Sequence, residues 1–350
     1  MANFGGISAQ AGLADAKLLL IFGADRNEEI ICRGKTVHIP GSADLYRVLD
    51  GMVPFHRLQM TRSFFRQHRR PELSTYRYIM NMVTEPERNP QVLENIGRLV
   101  RGAAAKVINR PEAILRTTRD LVARKLTGVE GLVAPRAVRL RAGKPTIAMQ
   151  AVAKAGLSFP IILRETGTHK GEIVGLMRTA DEMHASQVEG SDHFATEFID
   201  FRSSDGLYRK YRVFFIGRHI VFRHMLVSDE WNVHAKDRQR FMAARPDLRA
   251  EEEAMFVRAE GAFPTTVLET LRQARDRINL DVFGMDFGLL PDGRVLLFES
   301  NASMNFFPFL ADPEFAYVLQ CREPAQRALR ELLGLVPTED SPRPNVELLE

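Results

Sequence analysis

Residues 284–301 read GMDFGLLPDGRVLLFESN, and the register of this stretch decides the fold. Asp292-Gly293 between two apolar runs signals a hairpin turn. A two-residue loop pairs Pro291 with Arg294. A four-residue loop pairs Leu290 with Val295, and it is favoured because a tight closing pair would want the N–H that Pro291 lacks. Both loops give one register further down the ladder. Asp286 then lies directly across from Glu299, and Asn301 shares that face opposite Gly284. A three-residue loop would put the two carboxylates on opposite faces.

Two carboxylates facing across a ladder repel each other. Phe287, Leu297 and Phe298 around them add a desolvation cost. A hard divalent cation compensates both effects, and Asp286, Glu299 and Asn301 carry the oxygen ligands it prefers. The other solution is a pair of acids satisfied by nearby arginines.

Upstream of the hairpin, Phe194–Phe201, Tyr208–Ile216 and His219–Met225 read as antiparallel strands, with turns at Ser204-Asp205-Gly206 and Gly217-Arg218. Lys210 and Arg212 are two apart on a strand and face one side, next to the apolar run Val213–Ile216. Asn232 and His234 alternate onto one face after Trp231. Phe159–Arg164 (FPIILR) is an apolar strand entering the loop ETGTHKGE at 165–172, whose glycines let a backbone follow an anion closely. Ile173–Met177 reads as a strand and Thr179–Val188 as a helix. Val133–Leu140 is a strand interrupted by Pro135. Asn109-Arg110-Pro111 breaks the chain, and Pro111 opens a helix running to about Leu126. Before that break, Lys17–Gly23, Thr36–Pro40 and Tyr78–Val83 are strand candidates and Asn95–Ala105 is an amphipathic helix. That alternation argues for a small α/β domain with a parallel sheet. Beyond His234, Ala250–Ala259 and Thr265–Asn279 are helical, and a helix from Pro313 ends near Leu335. Met304–Phe309 (MNFFPF) reads as core, with pocket lining as the alternative.

Composition narrows the class. A chain of 350 residues suggests two domains, or one with a large insertion. With 45% hydrophobic and 26% charged residues it is a globular chain, not a disordered or collagen-like one. No apolar run approaches the roughly 18 residues of a membrane span, and no secretory signal opens the chain. Lys+Arg exceeds Asp+Glu only by 48 to 44. The densest basic run, Arg66–Arg70, is too short to argue for nucleic acid. Cys32 and Cys321 cannot form a disulfide framework or a zinc cluster, and no His/Asp pattern near them suggests a nucleophile. A reducing cytoplasm is the expected compartment, with no membrane or nucleic-acid partner.

At the hairpin the chain resembles the ATP-grasp superfamily, over roughly residues 108–310, and by pattern the ribosomal-protein glutamate ligases and glutathione synthetases within it. The family's Asp on one strand and Glu-x-Asn on the next correspond to Asp286, Glu299 and Asn301. FPIILRETGTHKGE is similar to its phosphate lid, ATEFID to its adenine-binding hinge, and YRKYRV, FRHM and WNVH to its triphosphate- and substrate-facing strands. The family has lysine where this chain has Arg119 and Arg164, and arginine keeps the charge while gripping phosphate bidentately. The resemblance implies an α/β (α+β) ATP-grasp fold: an N-terminal α/β domain, a central lid subdomain and a C-terminal antiparallel-sheet subdomain. The expected boundaries are a flexible leader over 1–14, the α/β domain over 15–108, the lid over 109–193, the C-terminal subdomain with the metal site over 194–335, and a tail over 336–350.

The activity it implies is an ATP- and Mg2+-dependent carboxylate–amine ligase acting through an acyl phosphate and releasing ADP and phosphate. A non-catalytic ATP-binding regulator and a phosphotransferase of the same fold are the alternatives. Two Mg2+ ions, with Mn2+ as a substitute, would sit on Asp286, Glu299 and Asn301. ATP would contact Arg119, Arg164, Gly167, Thr168, His169, Lys170, Gly171, the hinge Glu197, Phe198 and Ile199, Asp200 for the ribose, and Lys210 and Arg212. Arg223, Arg212 and Lys210 are the expected catalytic residues. The partners would be a small-molecule or peptide carboxylate and an amine, and a homodimer is compatible with the family.

Overall fold

The computed structural model describes residues 7–8, 17–26, 31–33, 36–38, 42–51, 53–60, 64, 71–141, 145–165, 173–186, 192–257, 263–307, 309 and 312–335. The expected phosphate loop Gly167–Gly171, most of the leader and the tail lie outside these residues.

The N-terminal part contains β1 (Ile7–Ser8), β2 (Leu18–Gly23), β3 (Ile31–Arg33), β4 (Thr36–His38), β5 (Phe55–Met60), β6 (Tyr78–Asn81), α1 (Pro90–Val100) and β7 (Lys106–Ile108). One sheet has the order β1-β5-β2-β6-β7. Its β5-β2-β6-β7 ladder is parallel, and Ile7–Ser8 of the expected leader pairs antiparallel at its edge. All six residues of β2 (LLLIFG) are buried, as a parallel strand covered on both faces requires. The chain passes from β2 to β5 on one side and later to β6 on the other. The loops after β2 and β6 therefore meet at a topological switch point. There the Asp25 carboxylate accepts the N–H groups of Gln91 and Val92 (3.0 and 2.7 Å) and caps the start of α1. The helix expected over 95–105 begins five residues earlier, at Pro90 in its first turn.

The middle of the chain contains α2 (Pro111–Ile114), α3 (Arg119–Leu126), β8 (Leu132–Val133), β9 (Ala137–Leu140), α4 (Pro145–Lys154), β10 (Ile161–Glu165), β11 (Ile173–Met177), α5 (Ala180–Ser186) and β12 (His193–Glu197). The single helix expected over 111–126 is two, because the Thr117 hydroxyl bonds back to Ile114 O (2.7 Å) and the chain re-enters a helix at Arg119. Pro135 divides its strand more deeply than expected, since β8 and β9 belong to different sheets. The lid sheet is antiparallel, in the order β11-β10-β12-β9. β12 therefore belongs to the lid, and the boundary expected at 193/194 moves beyond Glu197. The lid has its own small core, with Leu140, Ile161, Leu163 and Met183 at its centre.

The third sheet is built from β13 (Tyr208–Ile216), β14 (His219–Ser228), β15 (Val282–Leu289) and β16 (Val295–Asn301), with α6 (Pro246–Val257), α7 (Thr265–Ile278) and α8 (Arg322–Leu332) packed around it. Its order is β14-β13-β15-β16-β8. Only β8 runs parallel to its neighbour. A large core joins this sheet to the N-terminal one. Phe306 is fully buried, so this part of the MNFFPF stretch is core. No helix among the described residues is long and apolar enough to cross a membrane.

Asn109 locks the two sheets together. It is 1% exposed and adopts a left-handed φ of 53°, which asparagine tolerates better than most residues. Its side-chain amide donates to Val282 O (2.7 Å) and accepts Val282 N–H (2.9 Å), like one more strand residue. Its own N–H bonds Asp281 Oδ2 (2.8 Å). Asn109→Ala removes both side-chain bonds and leaves buried backbone groups of β15 unsatisfied. Urea unfolding should show a loss of about 2–4 kcal/mol.

Candidate active site

The β15–β16 hairpin closes on a three-residue loop. Gly293 N–H donates to Leu290 O (2.8 Å) and Leu290 N–H to Arg294 O (2.9 Å). Gly293 supplies the positive φ (+85°) that this loop needs. Leu289 pairs with Val295, so the expected two- or four-residue loop is off by one residue. That slip alone would send Asp286 and Glu299 to opposite faces. A β-bulge reverses it. Asp286 pairs with Glu299 while Phe287 pairs with Leu297, which makes Phe298 the inserted residue. Arg119 Nη1 donates to the bulged carbonyl, Phe298 O, at 3.0 Å. Gly284 faces Asn301.

A second bulge lies level with the first. Arg212 pairs with His224 and Val213 with Phe222, so Arg223 is the inserted residue of β14. Arg212 also pairs with Asp286 on its other side. His224, Arg212, Asp286 and Glu299 thus form one row across four strands, between two bulges.

The row is electrostatically balanced. Arg212 grips Asp286 bidentately, Nε to Oδ1 at 2.6 Å and Nη2 to Oδ2 at 2.8 Å, and Lys210 Nζ lies 3.8 Å from Oδ2. Burial pushes the Asp286 carboxyl up, but Arg212 and Lys210 outweigh it and hold the group below the usual carboxylate range. Burial pulls Lys210 down, against the pull of Asp286. Glu299 pairs with Arg119 Nη2 at 3.0 Å and accepts Asn301 Nδ2 at 2.8 Å. Asn301 Oδ1 accepts the Ser303 N–H at 3.0 Å. Both acids thus have an arginine partner. His224 is held well below its ordinary pKa by burial and by Arg212, Arg223, Arg238 and Lys210 around it, and its Nε2 is buried without a hydrogen-bond partner.

Arg212, Asp286 and Glu299 of this row form part of the wall of a cavity of about 530 Å³ between the lid sheet and the third sheet. Arg119, Arg164, Glu197, Phe198, Ile199, Lys210, Arg212, Asp286 and Glu299 all line it, so most of the expected site residues come together here. Burial and the neighbouring Arg119 pull Arg164 down to about 10, which leaves it charged at neutral pH. Phe198 and Trp231 meet edge to face, centroids 5.5 Å apart, on one side of the opening. Glu197 N–H and Phe198 N–H are already bonded to Arg136 O (2.9 Å) and Pro160 O (3.2 Å). A base docked here would have to use the Ile199 N–H or the hinge carbonyls.

Three expected residues among those described do not line this cavity. Asn301 lines an adjoining cavity, together with Glu299. Arg223, the bulge residue, is 7% exposed. Its Nε donates to Phe306 O at 2.8 Å, and its guanidinium lies 4.8 Å from the Phe309 ring centroid, so it does not line the cavity. Asp200 is exposed and accepts the Arg202 N–H at 3.0 Å. The structure also adds residues that the sequence reading missed. Phe298 and Phe201 line the cavity, and Glu85 is tied to the end of β16 through Ser303 (2.8 Å); Asn305, in the MNFFPF stretch for which pocket lining is the alternative reading, lines it as well. A lone acid in a loop carries no sequence signal. A bulge is set by packing that a one-dimensional pattern does not show.

No protein-family model matches the chain, and no curated protein matches it in sequence. Solved structures do match it in shape. The ATP-grasp ligase PsnB, solved with a phosphomimetic variant of a minimal precursor, Mg and ADP, superposes with a TM-score of 0.51 at 12% identity, over 91% of this chain and 99% of that one. N5-carboxyaminoimidazole synthase of Aspergillus clavatus, solved with ADP and 5-aminoimidazole ribonucleotide, has a TM-score of 0.49 at 13% identity, over 93% of this chain and 78% of that one. The VanG D-Ala:D-Ser ligase of Enterococcus faecalis gives 0.49 at 11%, over 92% and 99%. Identities this low speak for architecture, and only the PsnB superposition is strong enough to argue from. Together with the three sheets and their order, it shows that the chain has the ATP-grasp fold.

Proposed function

We propose that the chain is an ATP-dependent carboxylate–amine ligase that uses Mg2+. In this reading a substrate carboxylate oxygen attacks the γ-phosphorus of ATP and ADP departs. An amine nitrogen then attacks the acyl phosphate and loses a proton as phosphate leaves. The observation that carries the reading is the pairing of Asp286 with Glu299 in the wall of the 530 Å³ cavity, each acid balanced by an arginine.

The oxygen donors of Asp286, Glu299 and Asn301 fit a hard cation. They do not make a closed cage. Among the described residues, no group of three His, Cys, Asp or Glu is placed to hold a metal ion. Phosphate oxygens and water would have to supply the remaining ligands, so the ion would be held together with the nucleotide. When bound, Mg2+ supplies neutralisation of the triphosphate charge. Lys210, Arg212, Arg119 and Arg164 bind phosphate oxygens, and Arg212 and Arg119 exchange their carboxylate partners for phosphate as the site fills. Glu197–Ile199 holds the adenine through backbone groups.

Glu299 is 39% exposed at its side chain and Asp286 only 6%, so Glu299 can be tested without a cost in stability and Asp286 cannot. Glu299→Gln should keep the unfolding midpoint and lose about a hundredfold or more in ADP release. Asp286→Asn should lose activity as far, and should also unfold more easily, because Arg212 is left buried without its acid. Near-normal turnover in either variant, assayed against a panel of carboxylates and amines, would show the metal assignment to be wrong.

Chelation of divalent ions should abolish ADP release, and Mg2+ or Mn2+ should restore it. Mass analysis of the product separates ligation, which gives a condensed product, from simple phosphorylation.

The Asp286 carboxyl is held below its ordinary value, so its contribution to stability is complete above that value, near pH 4, and is lost as the pH falls through the folded-state pKa. Thermal unfolding between pH 3 and 7 should accordingly show a shallower acid limb in Asp286→Asn than in the wild type.

A further inference from the structure

Part of the wall of the 530 Å³ cavity is a loop with no ladder to hold it. Residues 229–236 follow β14 and belong to no strand or helix, yet Trp231, Asn232, Val233 and His234 all line the cavity. Val233 is 5% exposed and belongs to the large core. Trp231 is the single tryptophan of the chain, and it meets Phe198 of the hinge edge to face. With Phe198, Ile199 and Phe201 it gives the cavity an apolar, aromatic stretch, while Arg119, Arg164, Lys210 and Arg212 give it a cationic one. A nucleotide has the same two characters, a flat base that packs on aromatic rings and a charged phosphate chain.

The loop is held by one guanidinium from outside the cavity. Arg240 Nε donates to Asp237 Oδ1 at 2.7 Å, and its Nη2 donates to Ser228 Oγ at 2.7 Å and to Asp229 Oδ1 at 2.5 Å. Ser228 is the last residue of β14, and Asp237 precedes the helical turn Arg238–Met242. Arg240 therefore joins both feet of the loop, and the feet are buried, Ser228 at 0% and Asp237 at 1% exposure. Asp237 carries the constraint into the wall. Its Oδ2 accepts the His234 N–H at 2.7 Å, and its own N–H donates to His234 O at 2.9 Å. The turn that bears Arg240 is itself fixed, because Arg238 donates to Glu252 of α6 twice, at 2.7 and 2.6 Å. Arg240 does not line the cavity, and its side chain is 37% exposed. Ion pairs this open add little to stability. What the planar fork supplies is geometry, since it reaches both feet at once.

We propose that Arg240 is a positioning residue: by stapling the feet of the 229–236 loop it fixes Trp231 as the wall against which the base of the nucleotide rests. The proposal rests on the nucleotide reading of this cavity and adds to it a residue that touches neither base nor phosphate.

The test compares two ligands on the full-length protein in Mg2+. A non-hydrolysable ATP analogue uses both stretches of the cavity, and inorganic tripolyphosphate uses only the cationic one. Affinities come from calorimetry, and the emission of Trp231 reads the loop directly. In the wild type the analogue should change that emission, and tripolyphosphate should change it far less. Arg240→Gln should keep the unfolding midpoint, alter the emission of the free protein and bind the analogue about tenfold more weakly, with the affinity for tripolyphosphate unchanged. General damage to the fold would weaken both ligands alike. Arg240→Lys keeps the charge and gives up the fork, and should show the same selective loss at about threefold; it decides if the Gln variant does not fold. The proposal is overturned if Arg240→Gln, or Arg240→Lys in its place, binds the analogue like the wild type, if both ligands weaken equally, or if the bound analogue leaves the emission of Trp231 unchanged. Each of these results leaves the ligase reading standing. A wild type that binds no analogue sinks that reading and this proposal together.

Discussion

The buried Asp286–Arg212 pair, on facing strands of the third sheet, is the constraint round which the rest of the site is arranged. An acid 4% exposed is costly without a partner, and Glu299 stands opposite it with the same sign. Three cations absorb that charge: Arg212 and Lys210 on β13, and Arg119 from the first turn of α3. Each cation is also of the type that recognises phosphate. In the proposed reading, holding the acids and holding a triphosphate are alternative uses of one set of side chains.

Much of this row was legible. Alternation placed Lys210 with Arg212, and Glu299 with Asn301, and the hairpin signal placed Asp286 across from Glu299. The last inference reached the correct pairing through an incorrect turn. The loop is one residue different from that expected, and Phe298 compensates by bulging. What stabilises the bulge is tertiary: Phe298 packs on Phe201 with centroids 4.7 Å apart, and Arg119, nearly two hundred residues earlier, caps its carbonyl (3.0 Å). The matching bulge at Arg223 explains the failure there. An inserted residue breaks the face assignment that alternation supplies, and the side chain ends against Phe306 instead of in the cavity. The helix broken at Thr117–Thr118 and the strand split by Pro135 failed for a similar reason, since their flanking halves serve different layers.

The N-terminal domain is joined to the site by side chains that complete backbone bonding. Asn109 continues the β15 ladder. Asp44 accepts the N–H groups of Phe306 and Phe307 at 2.7 and 3.0 Å. Asp25 caps α1 from the end of β2. An apolar contact tolerates sliding, whereas a buried hydrogen bond has a direction and a length. The bonds of Asn109 and Asp44 fix β15 and the segment after β16 against the N-terminal sheet.

The choice of arginine at two positions follows from the same electrostatics. Arg119 and Arg164 line both cavities, and Arg119 raises the cost of charging Arg164. Burial and Arg119 bring Arg164 to about 10, which still leaves it protonated at pH 7. Lysine starts about two units or more below arginine, and the one lysine in this cluster, Lys210, is already drawn down by burial. A lysine at 164 under the same burden would fall toward neutrality and lose its hold on a phosphate. With two arginines sharing one wall and Lys210 close by, the guanidinium is the group that stays charged, and its planar fork can grip one phosphate with two bonds.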